Sequence, residues 1–323
     1  MGCLKNGTLS VAAVIPAYKV KKHVLRVISA IGPEVNVIYV VDDCCPEGTG
    51  RFVQSACGDE RVCVLFHEKN RGVGGATITG YRQALEDGAD NMVKIDGDGQ
   101  MDPTLVPRFI RPIIEGGADY TKGNRFYYLE GLPKMPLLRI VGNAVLSLIS
   151  KLSSGYWDIF DPTNGYTAIH ARVVEKLPLD KIDKRYFFES DMLFRLNTLR
   201  AVVLDIPMSA CYGDEVSNLQ ISRVIPEFTR KHMVNIFKRI FYNYYLRDFS
   251  VASIEILLGI VSLLFGVFFG CDMWANSLKT GVPATSGTVM LAALPTLVGI
   301  QLILAFLSAD VENVPRIPLQ RRL

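Results

Sequence analysis

Short apolar runs, each ended by turn residues, recur through the first hundred positions. Residues 9–16 (LSVAAVIP) and 35–41 (VNVIYVV) are rich in Val and Ile and have the length of buried strands. Between them the period changes: in 21–31 (KKHVLRVISAI), Val24, Val27, Ile28 and Ile31 fall on one helical face. The pattern predicts a third strand at 61–66 (RVCVLF), a glycine-rich turn, a helix at 75–87, and a fourth strand at 91–95 (NMVKI). That last strand runs straight into Asp96-Gly97-Asp98. Strands alternating with helices at this spacing predict an α/β fold, a parallel sheet with helices on both faces. Such sheets bind ligands at the carboxyl ends of their strands, where Asp42-Asp43 and Asp96/Asp98 fall. From about 104 the pattern loosens into helices at 104–115 and 136–153 and strands at 118–122, 165–170 and 202–206.

The C-terminal part differs in kind. Residues 251–270 (VASIEILLGIVSLLFGVFFG) and 288–308 (TVMLAALPTLVGIQLILAFLS) each approach the roughly 20 apolar residues that cross a bilayer. Glu255 is the only charge in the two runs, and neither has an amphipathic stripe, which disfavours a buried soluble hairpin. Residues 224–249 interleave basic and aromatic side chains, the composition of a helix lying in the headgroup layer. The expected division is a catalytic domain at 1–222, juxtamembrane helices at 223–250, and an anchor with a short tail at 251–323. Arg and Lys cluster before the first span (Arg223, Arg230, Lys231, Lys238, Arg239, Arg247) and after the second (Arg316, Arg321, Arg322). The expected linking loop, 271–287, carries only Lys279. The positive-inside rule then places the catalytic domain and both termini in the cytoplasm, at the plasma (inner) membrane.

Composition narrows the class. Of 323 residues, 49% are hydrophobic, and a net charge of +3 gives no basic field for nucleic acid. The cysteines (Cys3, Cys44, Cys45, Cys57, Cys63, Cys211, Cys271) are odd in number with no C-x-x-C spacing, which suits reduced thiols better than disulfides or zinc. The histidines (His23, His67, His170, His232) have no ligand spacing. No long apolar run precedes the first strand, so no secretory signal is expected.

Asp96-Gly97-Asp98 is the sharpest chemical signal. Two carboxylates flanking a glycine at a strand end can face one hard cation that bridges to a diphosphate. Such a cation acts as a Lewis acid on the leaving group. The blander reading is a solvated acidic turn. Context favours chemistry, because Pro16-Ala17-Tyr18 and Asp42-Asp43 end two other strands on the same sheet edge. A carboxylate there can accept from a base or ribose, and Tyr18 can pack on a base. The glycine turn Arg71-Gly72-Val73-Gly74-Gly75 lacks a third Rossmann glycine, since Thr77 stands there, and no Gly-Lys-Ser/Thr follows. It reads as a tight turn into a helix, with Arg71 near a diphosphate.

IPAY (15–18), VDDCCPEGT (41–49), NRGVGGA (70–76), DGDGQMDP (96–103), GNRF (123–126) and DPTNGY (161–166) together resemble family 2 glycosyltransferases of the GT-A fold. The similarity is closest to the polyprenyl-phosphate hexosyltransferase group and covers roughly residues 9–222. It implies an inverting transfer of a hexose from a UDP- or GDP-sugar to polyprenyl phosphate, undecaprenyl or dolichyl, at a lipid bilayer. By the resemblance, Pro16, Ala17, Tyr18, Asp42 and Asp43 hold the nucleotide together with Arg71. Asp96 and Asp98, with Gln100 beside them, bind Mg2+ or Mn2+. Arg125, Arg139 and Arg223 hold the acceptor phosphate. Asp161 and Asp191 act with the catalytic pair, and Glu189 lines the sugar pocket with Gln100. The spans offer a route to a homo-oligomer.

The sequence departs from the family pattern in places. Lys19-Val20 follow the IPAY tyrosine where Asn-Glu is common, and Asn218 stands in CYGDEVSNL where the family has Lys. Positive charge on the acceptor side then comes from arginines. A phosphate monoester has a second pKa near 6 and is largely a dianion at neutral pH. It needs positioning by arginine more than a general base. A sugar hydroxyl acceptor would instead require a base, with Asp161, Glu189 or Asp191 as candidates. A processive polysaccharide synthase fits less well, because Gln220-Ile221-Ser222-Arg223-Val224 lacks the tryptophan of Q-x-x-R-W. A silent nucleotide-sugar sensor is opposed by the intact acidic pair.

Overall fold

The computed structural model describes residues 9–128, 137–209 and 221–323, with side chains throughout except at 137–140 and 221–224. The chain divides into two units, Met1–Ile236 with Pro315–Leu323, and Phe237–Val314. The tail after the second apolar helix groups with the first unit, and the two units divide between Ile236 and Phe237.

The first unit runs β1 (Val11–Ala17), α1 (Val24–Ser29), β2 (Val37–Asp42), α2 (Thr49–Ala56), β3 (Val62–Phe66), α3 (Val73–Glu86), β4 (Asn91–Lys94) and α4 (Val106–Ile114). It continues through β5 (Tyr120–Asn124), α5 (Leu137–Ser154), β6 (Thr167–His170), α6 (Ala171–Lys176), α7 (Phe188–Thr198), β7 (Val203–Pro207) and α8 (Ile221–Phe241), which crosses into the second unit. The strands form one sheet in the order β3-β2-β1-β4-β6-β5-β7. Its first four strands are parallel as expected, whereas β6 pairs antiparallel with both β4 and β5 and makes the sheet mixed. Every residue of β2 is buried, the pattern of an interior parallel strand covered on both faces. One cover comes from α1 and α4, whose Val24, Val27, Ile28, Phe109 and Ile113 share a core with Ala13, Ile15 and Ala17. On the other face α3 lies so close that a Cβ on Gly80 would stand 2.3 Å from Val14. A larger residue there would overpack the sheet.

The tail is fastened at the end of the sheet opposite the candidate site. Buried Asp119, just before β5, accepts from the backbone N–H of Val202 (2.7 Å), Leu319 (2.6 Å) and Gln320 (2.8 Å). The Gln320 amide donates to the carbonyls of Ile113 and Ala118.

In the second unit a π-helical turn (Tyr242–Arg247) follows α8 and leads to α9 (Val251–Thr280) and α10 (Ser286–Glu312). Both are long and apolar enough to cross a membrane, with mean hydropathies of 2.4 and 2.2. Only 28% and 11% of their most apolar windows are buried, unlike the core helices of a soluble protein. The expected loop at 271–287 is shorter than read: α9 stays helical to Thr280 and ends at Gly281, which has the positive φ (69°) that favours glycine. A Cβ on Gly266 would meet Thr296 at 2.3 Å, and one on Gly299 would meet Leu263 at 2.6 Å. These close-approach positions are used within the chain, so the expected self-association through the spans gains no support from them. Arg239 and Asp310 form a buried two-point ion pair (2.6 and 3.0 Å), and Tyr244 donates to the same carboxylate at 2.7 Å.

Candidate active site

The register aligns Ala17 with Asp42, which puts the ends of β1 and β2 side by side. The turn after β4 closes on them, since a Cβ on Gly97 would stand 3.0 Å from Val20 and 3.4 Å from the Pro16 carbonyl. Tyr18 is exposed at this edge, with the Lys19 ammonium 5.6 Å from its ring centre. Asp42 and Asp43 are both buried, and both carboxylates carry loop hydrogen bonds. Asp42 accepts from the N–H of Cys45 (2.7 Å) and Gly50 (2.6 Å), which fixes the entry to α2. Asp43 accepts from the N–H of Arg71 (2.7 Å) and Gly72 (2.8 Å) and pairs with His67 at 2.7 Å, which fixes the glycine turn into α3. That turn packs on the 183–188 segment, where a Cβ on Gly72 would be 2.4 Å from the Lys184 carbonyl.

The acidic turn is built from inside the sheet. Asp98 accepts from the Gln100 N–H at 2.9 Å, and Gly99 takes the positive φ (79°) that the bend requires. Asp96 pairs with Lys94 at 2.7 Å. Lys94 is wholly buried, and its ammonium also reaches the Gly165 carbonyl (3.1 Å) and Glu189 (3.3 Å). Burial alone would lower its pKa, but the Asp96 and Glu189 charges outweigh burial and hold the ammonium protonated.

A second ion pair stands on the same network. Buried Asp161 accepts a fork from Arg125, Nε at 2.8 Å and a terminal nitrogen at 2.9 Å. Burial would raise its pKa, yet the hydrogen bonds and charge of Arg125 hold it below the usual carboxylate range. Asn164 donates to Asp161, and the carbonyl of Asn164 accepts from buried Lys122. Burial pulls the Lys122 pKa down to about 8 and pushes that of Asp205 up to about 6. Registers place Lys94 and Lys122 on either side of Thr167, with Asp205 opposite Lys122, so one polar row crosses β4, β6, β5 and β7. The turn at 164–165 thereby joins Asp96, Lys94 and Glu189 to Asp161, Arg125 and Lys122.

Not every expected residue joins this group. Asp191 accepts from the Asp183 N–H, Arg195 and Asn235, and ties α7 to its neighbours. The Arg71 side chain is exposed, and only its backbone N–H is fixed by Asp43. The side chains of Arg139 and Arg223 lie outside the described residues. Lys94, Lys122, Asn164 and Asp205 were missed. A lysine inside the mainly apolar run 91–95 (NMVKI) was the available signal for Lys94, because interior strands read as continuous apolar runs, whereas Lys122 stands in the polar strand YTKGN and gives no such signal.

Among the described residues no group of three or more His, Cys, Asp or Glu converges on a metal position. Asp96 and Asp98 offer two carboxylates at a partly open strand end. Mg2+ and Mn2+ shared with a diphosphate suit such an oxygen-only, carboxylate-poor set, the phosphates and water completing the shell.

The model of the family described as "Glycosyl transferase family 2" matches residues 12–178. The chain is 30% identical over 215 residues to a UDP-N-acetylglucosamine–dolichyl-phosphate N-acetylglucosaminyltransferase of Methanococcus voltae, covering 62% of this chain and 85% of that protein. It is 34% identical over 179 residues to an undecaprenyl-phosphate mannosyltransferase of Micrococcus luteus, covering 55% and 72%. Among solved structures, glucosyl-3-phosphoglycerate synthase from Mycobacterium tuberculosis with Mn2+, UDP and phosphoglyceric acid aligns with a TM-score of 0.53 at 17% identity, covering 71% of this chain and 78% of that one. That likeness shows the fold.

Proposed function

The chain belongs to glycosyl transferase family 2 and is a glycosyltransferase, and from that premise we propose that it moves a hexose from a UDP- or GDP-sugar to polyprenyl phosphate at a membrane. The observation that carries this reading is the single network joining the Asp96–Asp98 turn to the Arg125–Asp161 fork through residues 164–165. One end suits a departing nucleoside diphosphate and the other an anionic acceptor. The printed activities of the two relatives, transfers to dolichyl and undecaprenyl phosphate, support the acceptor class.

The residues divide the work by charge. Tyr18 packs on the base at the exposed strand edge, while Asp42 and Asp43 hold the surrounding loops. Asp98 and Asp96 would hold Mg2+ or Mn2+, whose chemistry when bound is to offset the charge gathering on the leaving diphosphate. Arg125, aimed by Asp161, orients the acceptor phosphate, already a dianion near neutral pH. No proton need be removed from it, and direct displacement inverts the anomeric centre. Glu189 and Gln100 border the sugar.

Membrane location is supported by α9 and α10 and by the surface of α5, which turns Val141, Val145 and Leu148 outward and buries Ser147, Ser150 and Ser153. A cytoplasmic catalytic unit is supported by the Arg and Lys excess flanking the spans. The tail held by Asp119 adds to this, because the segments before and after the two apolar helices belong to one unit.

The test is a donor panel, UDP- and GDP-hexoses, offered to membranes containing the protein and polyprenyl phosphate. A lipid product cleaved by mild acid marks a glycosyl phosphate and supports the reading. An acid-stable glycoside would instead indicate a hydroxyl acceptor and overturn it.

A further inference from the structure

We propose that Lys94 neutralises Asp96 from inside the sheet, so that the acidic turn takes a divalent cation only together with the donor's diphosphate. The inference rests on reading Asp96 and Asp98 as the metal and diphosphate site.

Lys94 sits in β4, between β1 and β6, paired with Val14 on one side and Thr167 on the other. No part of it reaches solvent. An ammonium has three N–H donors, and here three acceptors meet them: Asp96 at 2.7 Å, the Gly165 carbonyl at 3.1 Å and Glu189 at 3.3 Å. A buried lysine is a costly choice for a position that an apolar residue could fill, because its charge must be fully paired. Room for it is also specific: a Cβ on Gly165 would stand 2.5 Å from the ammonium and 2.6 Å from Asp96 Oδ2. The turn of 161–166 can close over this pair only with glycine at 165.

The electrostatic consequence concerns binding order. Two carboxylates facing one position would attract a free divalent cation strongly. With Lys94 fixed on Asp96, one of those charges is already compensated, and the ammonium repels an incoming cation. Glu189 shares the same ammonium, from a side chain less exposed than that of Asp96. A nucleoside diphosphate brings its own negative charge, so cation and diphosphate bind well as a pair and each binds weakly alone. The coupling is reciprocal, as linkage requires.

The experiment titrates Mn2+ into the full chain in detergent, with and without UDP or GDP, and reads bound Mn2+ by electron paramagnetic resonance. In the wild type the nucleotide is expected to tighten Mn2+ by ~100-fold. In Lys94→Gln, Mn2+ alone is expected to bind ~10-fold more tightly, narrowing that gap, whereas Lys94→Arg keeps the charge and keeps the gap. A Lys94→Gln protein with the full gap overturns the proposal, as does Lys94→Arg narrowing it equally. If Lys94→Gln does not fold, Glu189→Gln carries the test: it leaves the ammonium less compensated and is expected to widen the gap, and a narrower one overturns the proposal. A wild type that binds neither nucleotide with Mn2+ would instead fail the underlying reading of the site.

Discussion

Arg125 grips Asp161 with two parallel hydrogen bonds, at 2.8 and 2.9 Å, from a position just past the end of β5. The carboxylate is buried and the guanidinium partly exposed, so the pair presents an oriented cation at the surface of a fixed anion. Arg125→Ala is expected to weaken use of polyprenyl phosphate much more than nucleotide binding. It also strands a buried carboxylate, costing about 3 kcal/mol of stability. Arg125→Lys keeps the charge but loses the fork, and should restore stability more than acceptor use. Acceptor titrations beside thermal melts check both, and a donor affinity that falls instead would contradict the assignment.

Asp205 gives a pH signature. Its pKa is pushed from 3.8 up to about 6 in the folded protein, first by burial, so the fold prefers it protonated. Between about pH 4 and 6 the folded state then binds more protons than the unfolded state, and stability falls as pH rises through this window. The contribution is roughly 3 kcal/mol at most. Asp205→Asn should flatten that slope in melts from pH 4 to 7 and leave the protein more stable at pH 7. A slope unchanged by the substitution would count against the assignment.

The tail clasp is testable separately. Asp119→Ala removes the acceptor for three backbone N–H groups. Those of Leu319 and Gln320 can turn to water if the tail detaches, whereas that of Val202 stays behind the sheet edge. A loss of about 2–3 kcal/mol is expected, with proteolysis appearing within residues 315–323. A tail as resistant as in the wild type would argue against the clasp.

In the second unit, Arg239→Met alone leaves Asp310 buried without its cation and should cost about 3–5 kcal/mol. Adding Asp310→Leu removes the stranded charge and should recover most of the loss. Thermal inactivation in detergent distinguishes this from simple additivity of the two changes.

Much of the fold is legible because local signals agree with it. Val- and Ile-rich runs mark β1 to β4, and the strand ending in Asp96-Gly97-Asp98 announces its own chemistry. The helix α7 is not legible, because Phe188 through Phe194 are buried on every side and leave no stripe. The loop-holding bonds of Asp42 and Asp43 are not legible for a related reason: a strand-end carboxylate looks the same whether or not it also accepts from the N–H groups of its own loop. The bond from Lys94 to Glu189 is hidden because the two residues lie 95 positions apart. Residues past Cys271 look like a loop by hydropathy, yet helical hydrogen bonding continues to Thr280 regardless of polarity.

The most direct test of the account is the rate of sugar transfer to polyprenyl phosphate by Asp98→Asn beside the wild type, each with Mg2+ or Mn2+ and then with chelator. The account predicts a loss of ~100-fold or more on substitution, a comparable loss on chelation of the wild type, and an unchanged melting profile for the variant. Transfer that survives both the substitution and the chelator would contradict it.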